Sequence, residues 1–318
     1  MVKNNFQKSP KIIDIKSILN VFELKYFWRS LILFCGLFLQ FSWVSAQEDD
    51  LLLDDATTQN TTAPKVDFAF KTTKVVNLQS LEITDPGVLD FKMMHRFGPL
   101  NSGPYKAFGL DLATVRFGFE YGIVPDLMIA AGRSNVNGNK NMDALLKYRL
   151  LHQNTTNTIP ISLELVAGTQ YLLGSQYSNS TNQQRSSYFG QMILGRKMDE
   201  DLSIILSPTF LMNATSAMDN TQQWALGVGL RHKISVRSSI NLEYIPVLTQ
   251  KGTMINSFSV GMDVETGGHV FQFHITNSMG LNEAQFISNT SESWKDRGIR
   301  FGFNLSRVFT VVKPKTFK

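Results

Sequence analysis

Cysteine is almost absent from this sequence of 318 residues, since Cys35 is the only one. It lies inside an apolar stretch near the amino terminus, and residues 32–34 lack the small residue that a lipoprotein signal places beside its cysteine. The rest of the chain therefore cannot rely on disulfide bonds, and its stability must come from backbone hydrogen bonding and packing.

An excess of basic charge is also missing once residues 1–46 are set aside. The whole sequence has 31 Lys and Arg against 26 Asp and Glu, but residues 1–46 hold six of the bases and two of the acids. The remainder has 25 bases and 24 acids, a net charge of +1. No nucleic-acid partner is expected for a chain so close to neutrality.

Motifs for metal or cofactor chemistry are missing as well. The sequence shows no His/Cys metal spacing, no glycine-rich phosphate loop and no dinucleotide fingerprint, so no cofactor is expected. Among five histidines, His274 alternates onto a polar strand face and has Ser278 four residues later. A hydrolase using His274 is one hypothesis, although such a pair is common by chance.

After the amino terminus the sequence has no apolar run of the roughly 20 residues that a membrane helix needs. Residues 1–46 combine basic residues, a short apolar run and Val44-Ser45-Ala46, which predicts a cleaved secretory signal; a retained membrane anchor is the alternative. Residues 47–64 are acidic and then Thr-rich, which is typical of a disordered linker. Residues 65–86 could form an extra strand, a periplasmic clasp or a plug inside a barrel.

Strict alternation of apolar and polar residues is the clearest pattern that the sequence does contain. In residues 113–122, Val115, Phe117 and Phe119 alternate with Arg116 and Glu120, which predicts a strand with one apolar and one polar face. Val124-Pro125-Asp126 then predicts a tight turn into a second strand. Twelve strands follow this kind of pattern, with mixed faces in the sixth and seventh: 88–97, 113–122, 126–133, 142–151, 160–173, 186–198, 202–212, 222–233, 238–248, 255–264, 268–276 and 298–309.

The connections between these strands indicate how they are arranged. Connections rich in Asn, Ser, Thr and Gly, such as the one after Arg133, alternate with tight ones, such as those after Gly122 and Lys233. Outer-membrane barrels have this alternation, with short periplasmic turns and long outer loops. An even number of strands then puts both ends of the barrel domain, residues 87–309, on the periplasmic side, followed by a tail of residues 310–318.

A soluble β-sandwich or a lipocalin-like barrel would also contain alternating strands, but with the apolar faces inward. Three observations favour the inverted arrangement: both charge signs on the polar face, aromatic residues near strand ends, and strand lengths near the ~9–11 residues that cross a bilayer. We therefore predict an all-β fold, an antiparallel up-and-down transmembrane β-barrel of about 12 strands. We expect the apolar outer face of this barrel to contact outer-membrane lipid.

Four segments also resemble an uncharacterised family of Gram-negative outer-membrane β-barrel proteins. They are FKTTKVVN (70–77), GVLDF (87–91), HRFG (95–98) and TVRFGFEYG (114–122). The resemblance covers roughly residues 65–309 and is most specific in its first half. It implies a barrel in the outer membrane and no assigned activity.

The polar face would line the lumen of such a barrel. Its charges suggest either a selective aqueous path or a ladder of cross-strand ion pairs, and their mixed signs argue against a strong ion filter. The residues predicted to line the lumen are Asp90, Lys92, Arg96, Arg116, Glu120, Asp143, Lys147, Arg149, Glu164, Arg231, Lys233, Glu243, Asp263, His274 and Arg300.

A Gly- and Pro-rich segment after the first strand predicts a compact loop at the extracellular rim. It could be a constriction folded into the pore mouth, a recognition loop, or simply a well-defined turn. The residues predicted to form it are His95, Phe97, Gly98, Pro99, Asn101, Gly103 and Pro104.

Three functions remain open at this point. A narrow channel or structural barrel for a small solute is the leading hypothesis, without catalytic residues. A scaffold that docks a periplasmic protein through residues 47–86 is the second, and a barrel hydrolase is the third. The sequence does not identify the solute or the partner.

Overall fold

The computed structural model describes residues 64–136, 138–212, 222–249 and 254–313. The predicted signal and all of the predicted linker except Pro64 lie outside the described residues, as does the tail after residue 313.

Twelve antiparallel strands form a closed barrel, as the sequence predicts. Each strand pairs with its neighbours in sequence, and β1 pairs with β12 to close the ring. The strands are β1 (Val88–Pro99), β2 (Ala113–Val124), β3 (Leu127–Val136), β4 (Asn139–Leu151), β5 (Ser162–Leu173), β6 (Ser186–Lys197), β7 (Leu202–Met212), β8 (Gln222–Lys233), β9 (Ser238–Ile245), β10 (Ser257–Glu265), β11 (His269–Thr276) and β12 (Arg300–Thr310).

The faces of the strands are inverted relative to those of a soluble barrel. On β2, Phe117 and Phe119 point outward and are 49% and 51% exposed, whereas Arg116 and Glu120 between them are buried. Apolar side chains facing outward and charged ones facing inward are what a barrel surrounded by lipid requires. The closed ring also gives every strand two neighbours, so no sheet edge is left unpaired.

The two ends of the barrel differ in their connections. We call the end that holds Val88 and Thr310 the terminal end, and the opposite end the loop end. At the loop end, the prediction of a long connection after Arg133 is wrong. Strands β3 and β4 extend until only residues 137 and 138 join them. Gly138 has φ of +79° there, a left-handed conformation that suits a two-residue turn. At the terminal end, Asp126 in the predicted tight turn has φ of +66°.

The predicted rim loop begins later than expected. His95, Phe97, Gly98 and Pro99 belong to β1, because pairing with β12 continues to Pro99 and Arg300. His95 lies on the outer face, with its ring centroid 4.3 Å from that of Phe97 and 5.1 Å from that of Phe303. The rings pack against one another on the surface that faces lipid, so these positions are wall rather than loop.

The remainder of that segment does not enter the pore mouth. Asn101 lies in a 3₁₀ turn over Leu100–Ser102, and Pro104 opens a second over Pro104–Gly109, with Gly103 between them. Tyr105 is 95% exposed, so this segment projects away from the barrel. The constriction hypothesis for this loop is therefore wrong, and a different loop occupies the lumen.

Two short α-helices lie in loop-end connections: α1 (Asn182–Arg185) between β5 and β6, and α2 (Glu283–Ser288) between β11 and β12. Every residue of α2 is buried, which is unusual for a connection between strands. No helix in the described part of the chain has the length and apolar character to cross a membrane.

Candidate functional site: the plugged lumen

Ion pairs within and between strands cover one side of the lumen. Lys92 Nζ lies 2.6 Å from Asp90 Oδ2 and 3.5 Å from Glu120 Oε2. Arg116 Nη2 lies 2.5 Å from Asp143 Oδ2. These pairs join β1, β2 and β4, and Glu164 on β5 continues the ladder. Pairing of this kind compensates for removing the charges from bulk water.

The structure gives a position to every residue that the sequence predicted to line the lumen. Half-buried are Asp143, Arg149 and Lys233, the last of which lies 3.5 Å from Asp201 at the terminal end. Buried are Asp90, Lys92, Arg96, Arg116, Glu120, Lys147, Glu164, Arg231, Glu243, Asp263, His274 and Arg300.

The lumen is not empty, because residues 72–81 form a small hairpin inside it, which we call the plug hairpin. Ser80 N donates to Thr73 O at 2.9 Å, Val75 N donates to Leu78 O at 2.8 Å, and Lys74 bridges to Gln79. Its tip, residues 75–78, is fully buried. Residues 72–81 thus lie where a plug would lie, whereas Lys65, Asp67 and Phe68 of the same segment are exposed.

Charged wall residues bind the backbone of this segment. Lys147 Nζ donates to Ser80 O at 2.6 Å and to Glu82 O at 2.8 Å. Arg149 Nη2 donates to Leu81 O at 2.5 Å. Arg231 Nη1 donates to the carbonyls of residues 68 and 69, each at 3.1 Å. The lumen charges therefore do more than pair with one another, since they also satisfy the carbonyls of the plug.

Glu243 on β9 binds backbone N–H groups, instead of carbonyls, at the tip of the plug hairpin. Its Oε2 accepts from the backbone N–H groups of Val76, Asn77 and Leu78 at 3.2, 2.8 and 2.7 Å. Its Oε1 accepts from Asn77 Nδ2 at 2.8 Å. Three convergent backbone N–H groups form a concave anion site, and a carboxylate is the ligand that such a site prefers.

Asn77 links Glu243 to Arg96 on β1. Asn77 Oδ1 accepts from Arg96 Nη2 at 3.0 Å, while its amide nitrogen donates to Glu243. Both charged residues are almost fully buried, and no direct ion pair joins them in the described structure. One amide side chain thus provides a partner for each of two buried charges of opposite sign.

Inward-facing glycines accept the aliphatic side chains of the plug hairpin. A Cβ atom added at Gly227 would lie 2.7 Å from both terminal methyl carbons of Leu78. One added at Gly261 would lie 3.0 Å from Val76 Cγ2. Gly229 and Gly195 face Val75 and Leu81 at 3.1 and 2.7 Å, but there the wall residue Ile205 is as close or closer, at 2.8 and 2.7 Å. The hollows in the wall therefore match the plug in position and size.

The same packing explains why β6 and β7 have apolar residues on both faces. Ile193 and Ile205 point inward with no exposure, whereas inward residues elsewhere in the wall are mostly polar. They belong to one apolar cluster with Leu78 of the plug hairpin and Phe286 of α2. The mixed pattern that the sequence shows in these two strands marks where the wall contacts its filling.

Helix α2 closes the lumen from the loop end and meets the plug hairpin. Glu283 Oε1 lies 3.1 Å from Lys74 Nζ and accepts from Gln79 Nε2 at 2.8 Å. Asn282 caps the helix by accepting from Gln285 N at 3.1 Å. Two separate segments, one from each end, thus meet on a buried carboxylate within the barrel.

A cavity of about 610 Å³ remains at the terminal end, between the wall and residues 66–73. Glu82 lines it and accepts from Phe70 N at 2.8 Å. Burial raises the pKa of the Glu82 carboxyl, although the Phe70 N–H and the charge of Arg149 oppose this. His152 also lines the cavity, and its pKa is lowered by burial and by Arg149.

The structure also shows where the residues of the hydrolase hypothesis lie. Ser278 does not pair with His274; its hydroxyl accepts from Thr290 Oγ1 at 3.0 Å and from Gly280 N at 3.2 Å. In the part of the chain that the structure describes, no group of three or more His, Cys, Asp or Glu side chains is arranged to hold a metal ion.

Sequence reasoning missed Asn77, Glu283, Gln272 and Asn304 as contributors to this site. Gln272 and Asn304 lie on polar strand faces, so their inward direction could have been inferred. Glu283 and Asn77 lie outside the strands, and alternation says nothing about them. The inward glycines were visible in the pattern, but their partners depend on where residues 75–81 fold.

The comparisons with known proteins agree with this architecture. Residues 70–309 match a family described as a membrane-bound beta barrel domain, DUF5777. This chain belongs to that family. It is a family of outer-membrane β-barrels without an assigned activity. No protein with a curated description matches the chain.

Several solved barrels are similar in architecture at very low sequence identity. The KdgM porin in complex with disordered oligogalacturonate is 10% identical, with a TM-score of 0.45 over 70% of this chain and 99% of that one. The NanC porin is 9% identical, with a TM-score of 0.46 over 69% and 98%. The outer membrane phospholipase A from Escherichia coli is 8% identical, with a TM-score of 0.43 over 69% and 92%. The likeness is confined to the barrel architecture.

Proposed function

We propose that this outer-membrane barrel is a channel for a small polar solute and that the plug hairpin holds it closed. The observation that carries the proposal is the set of hydrogen bonds between plug and wall, which accompanies the apolar packing of Leu78. Glu243 and Lys147 bind backbone groups of residues 76–82 by hydrogen bonds that water could replace once the hairpin leaves.

The cavity at the terminal end supports the same proposal. It extends from the barrel mouth to the plug hairpin and is lined partly by charged residues such as Glu82 and Arg149. A polar, wettable space of this kind would serve as the vestibule of a path that continues when the hairpin moves. The scaffold hypothesis, by contrast, would have to use the part of residues 47–86 that lies outside residues 69–81, because most of those are buried in the lumen.

Conductance in planar bilayers tests the proposal with the full-length mature protein. The substitution Leu78→Asp places a carboxylate in the apolar hollow over Gly227, which should expel the plug hairpin. We expect wild-type protein to be mostly closed and Leu78→Asp to conduct. Leu110→Asp is the matched control, because Leu110 is 57% exposed in the segment between β1 and β2.

A reversible cross-link ties any conductance to the hairpin. In the Leu78→Asp background, Val76→Cys with Gly261→Cys places two thiols at positions whose Cβ separation suits a disulfide. Oxidation should close the channel and reduction should open it. If the reduced protein passes no more current than the wild type, the channel proposal is wrong and the barrel is structural.

A further inference from the structure

The groups that hold the plug hairpin recognise peptide backbone more than particular side chains. Glu243 accepts three consecutive backbone N–H groups, from residues 76–78. Gln272 Nε2 donates to the carbonyls of Lys74 and Val75 at 3.3 and 3.1 Å. Asn304 Nδ2 donates to Val76 O at 3.1 Å. Side chains of the wall thus accept from the N–H groups and donate to the carbonyls of one short stretch of main chain.

The side-chain contacts at the same place are small and aliphatic. The hollows at Gly227 and Gly261 receive Leu78 and Val76, and the hollow at Gly229 is shared between Val75 and Ile205 of the wall. Substituting larger residues for these glycines would remove the hollows. A site with backbone-binding amides, a carboxylate and hollows of one side-chain volume is suited to an extended oligopeptide with aliphatic residues.

Departure of the hairpin removes partners from two of these groups. Glu243 would lose four hydrogen bonds, and Arg96 would lose the one that it donates to Asn77 while keeping those to Asn304 Oδ1 and His95 O. Since the two charges are bridged only through the Asn77 amide, an occupant offering N–H groups on one side and carbonyl oxygen on the other would restore both. A peptide offers this pair in every residue, whereas a simple inorganic ion offers only one sign.

We propose that this part of the lumen is a binding site for short aliphatic peptides, and that the hairpin tip occupies it as an internal ligand. The proposal deepens the channel function and rests on it, because the solute would then be a peptide that competes with the plug. The site consists of Glu243, Gln272, Asn304 and Arg96 together with the glycine hollows.

Binding of a labelled peptide tests the site independently of conductance. The probe is a fluorescent, end-capped Lys-Val-Val-Asn-Leu peptide added to detergent-solubilised full-length Leu78→Asp. We expect saturable binding by fluorescence anisotropy, at least tenfold weaker when the Val, Asn and Leu nitrogens of the peptide are methylated. Adding Glu243→Gln to the Leu78→Asp protein should also weaken binding by about tenfold, because hydrogen bonds to a charged acceptor are lost. Glu200→Gln, in the exposed turn between β6 and β7, should leave binding unchanged.

A second measurement does not depend on the Leu78→Asp variant. In the otherwise wild-type chain, Val76→Cys buries a thiol under the wall, and displacement of the hairpin by excess peptide should speed its alkylation several-fold. The N-methylated peptide should leave the rate of alkylation unchanged. Equal effects of the two peptides, or no binding by either in both assays, would overturn the peptide site. If Leu78→Asp conducts but binds no peptide, the peptide inference fails alone; if it binds peptide without conducting, the channel fails instead.

Discussion

At the scale of single residues, glycine at four inward positions determines what the lumen can contain. Gly227 and Gly261 leave the volumes that Leu78 and Val76 occupy, and the volumes at Gly229 and Gly195 are shared between Ile205 of the wall and Val75 or Leu81 of the plug hairpin. In a strand interior glycine normally weakens the sheet, so its presence here implies the close approach of another part of the chain. The same positions viewed in the sequence alone appear only as small members of a polar face.

The substitution Gly227→Val tests this interpretation. The added side chain would overlap the methyl groups of Leu78, and overpacking of this kind costs about 1–3 kcal/mol. We expect the free energy of unfolding in urea to fall by that amount and the hairpin to become accessible to protease. Gly190→Val on β6 is the control, since a Cβ added there meets no atom within 4 Å. Equal loss in both variants would mean that strand propensity, and not contact with the plug, accounts for the effect.

At the scale of elements, the plug hairpin is anchored to the wall at both its tip and its base. The tip is bound by Glu243, and the base by Lys147 and Arg149. Helix α2 adds a third attachment through Glu283, so movement of the connection between β11 and β12 and movement of the hairpin are physically linked. The half-buried Glu82 lies at the base, outside the strands, where its protonation affects the attachment.

Stability should therefore depend on pH through Glu82. Because burial raises its pKa in the folded protein, its contribution is fully present below the ordinary carboxyl value of about 4.3 and is lost as pH rises through the raised value. The charges nearby are Lys147, Arg149 and Glu164. Glu82→Gln, which mimics the protonated acid, should remove this loss when unfolding is measured between about pH 4 and 7.

The matched control for this pH dependence is Glu200→Gln, because Glu200 is exposed in the turn between β6 and β7. It should retain the wild-type profile. A Glu82→Gln protein whose stability still falls over the same range would show that another group is responsible.

At the scale of the whole molecule, the barrel is closed by pairing of its first and last strands and filled from both ends. The register from Val88 with Thr310 to Pro99 with Arg300 completes the ring. Because its outward faces are apolar and its inward faces are polar, this ring is suited to a lipid bilayer and not to water. The predicted location in the outer membrane follows from this pattern and from the family.

Fractionation with a heat-modifiability gel tests the whole-molecule assignment. The mature protein should appear in the outer-membrane fraction and migrate differently before and after boiling, because a closed barrel resists detergent until it is heated. A cross-linked Val76→Cys/Gly261→Cys protein should show the same shift, since the cross-link joins plug to wall without altering the ring. A periplasmic protein without any shift would contradict the assignment of faces.

The sequence by itself determined the twelve strands, their order and, outside β6 and β7, which side chains share a face, because alternation is a local property of neighbouring residues. The ends of β1 and β3 were misplaced because pairing with a partner strand can extend a strand through Gly, Pro or Asn when both chains continue together. Only the tertiary structure decided what fills the lumen. The contacts of Glu243, Asn77 and Glu283 join segments more than 160 residues apart or lie in loops, and no period in the sequence encodes such contacts. Whether an inward glycine is an empty place or a hollow for Leu78 depends on that long-range packing alone.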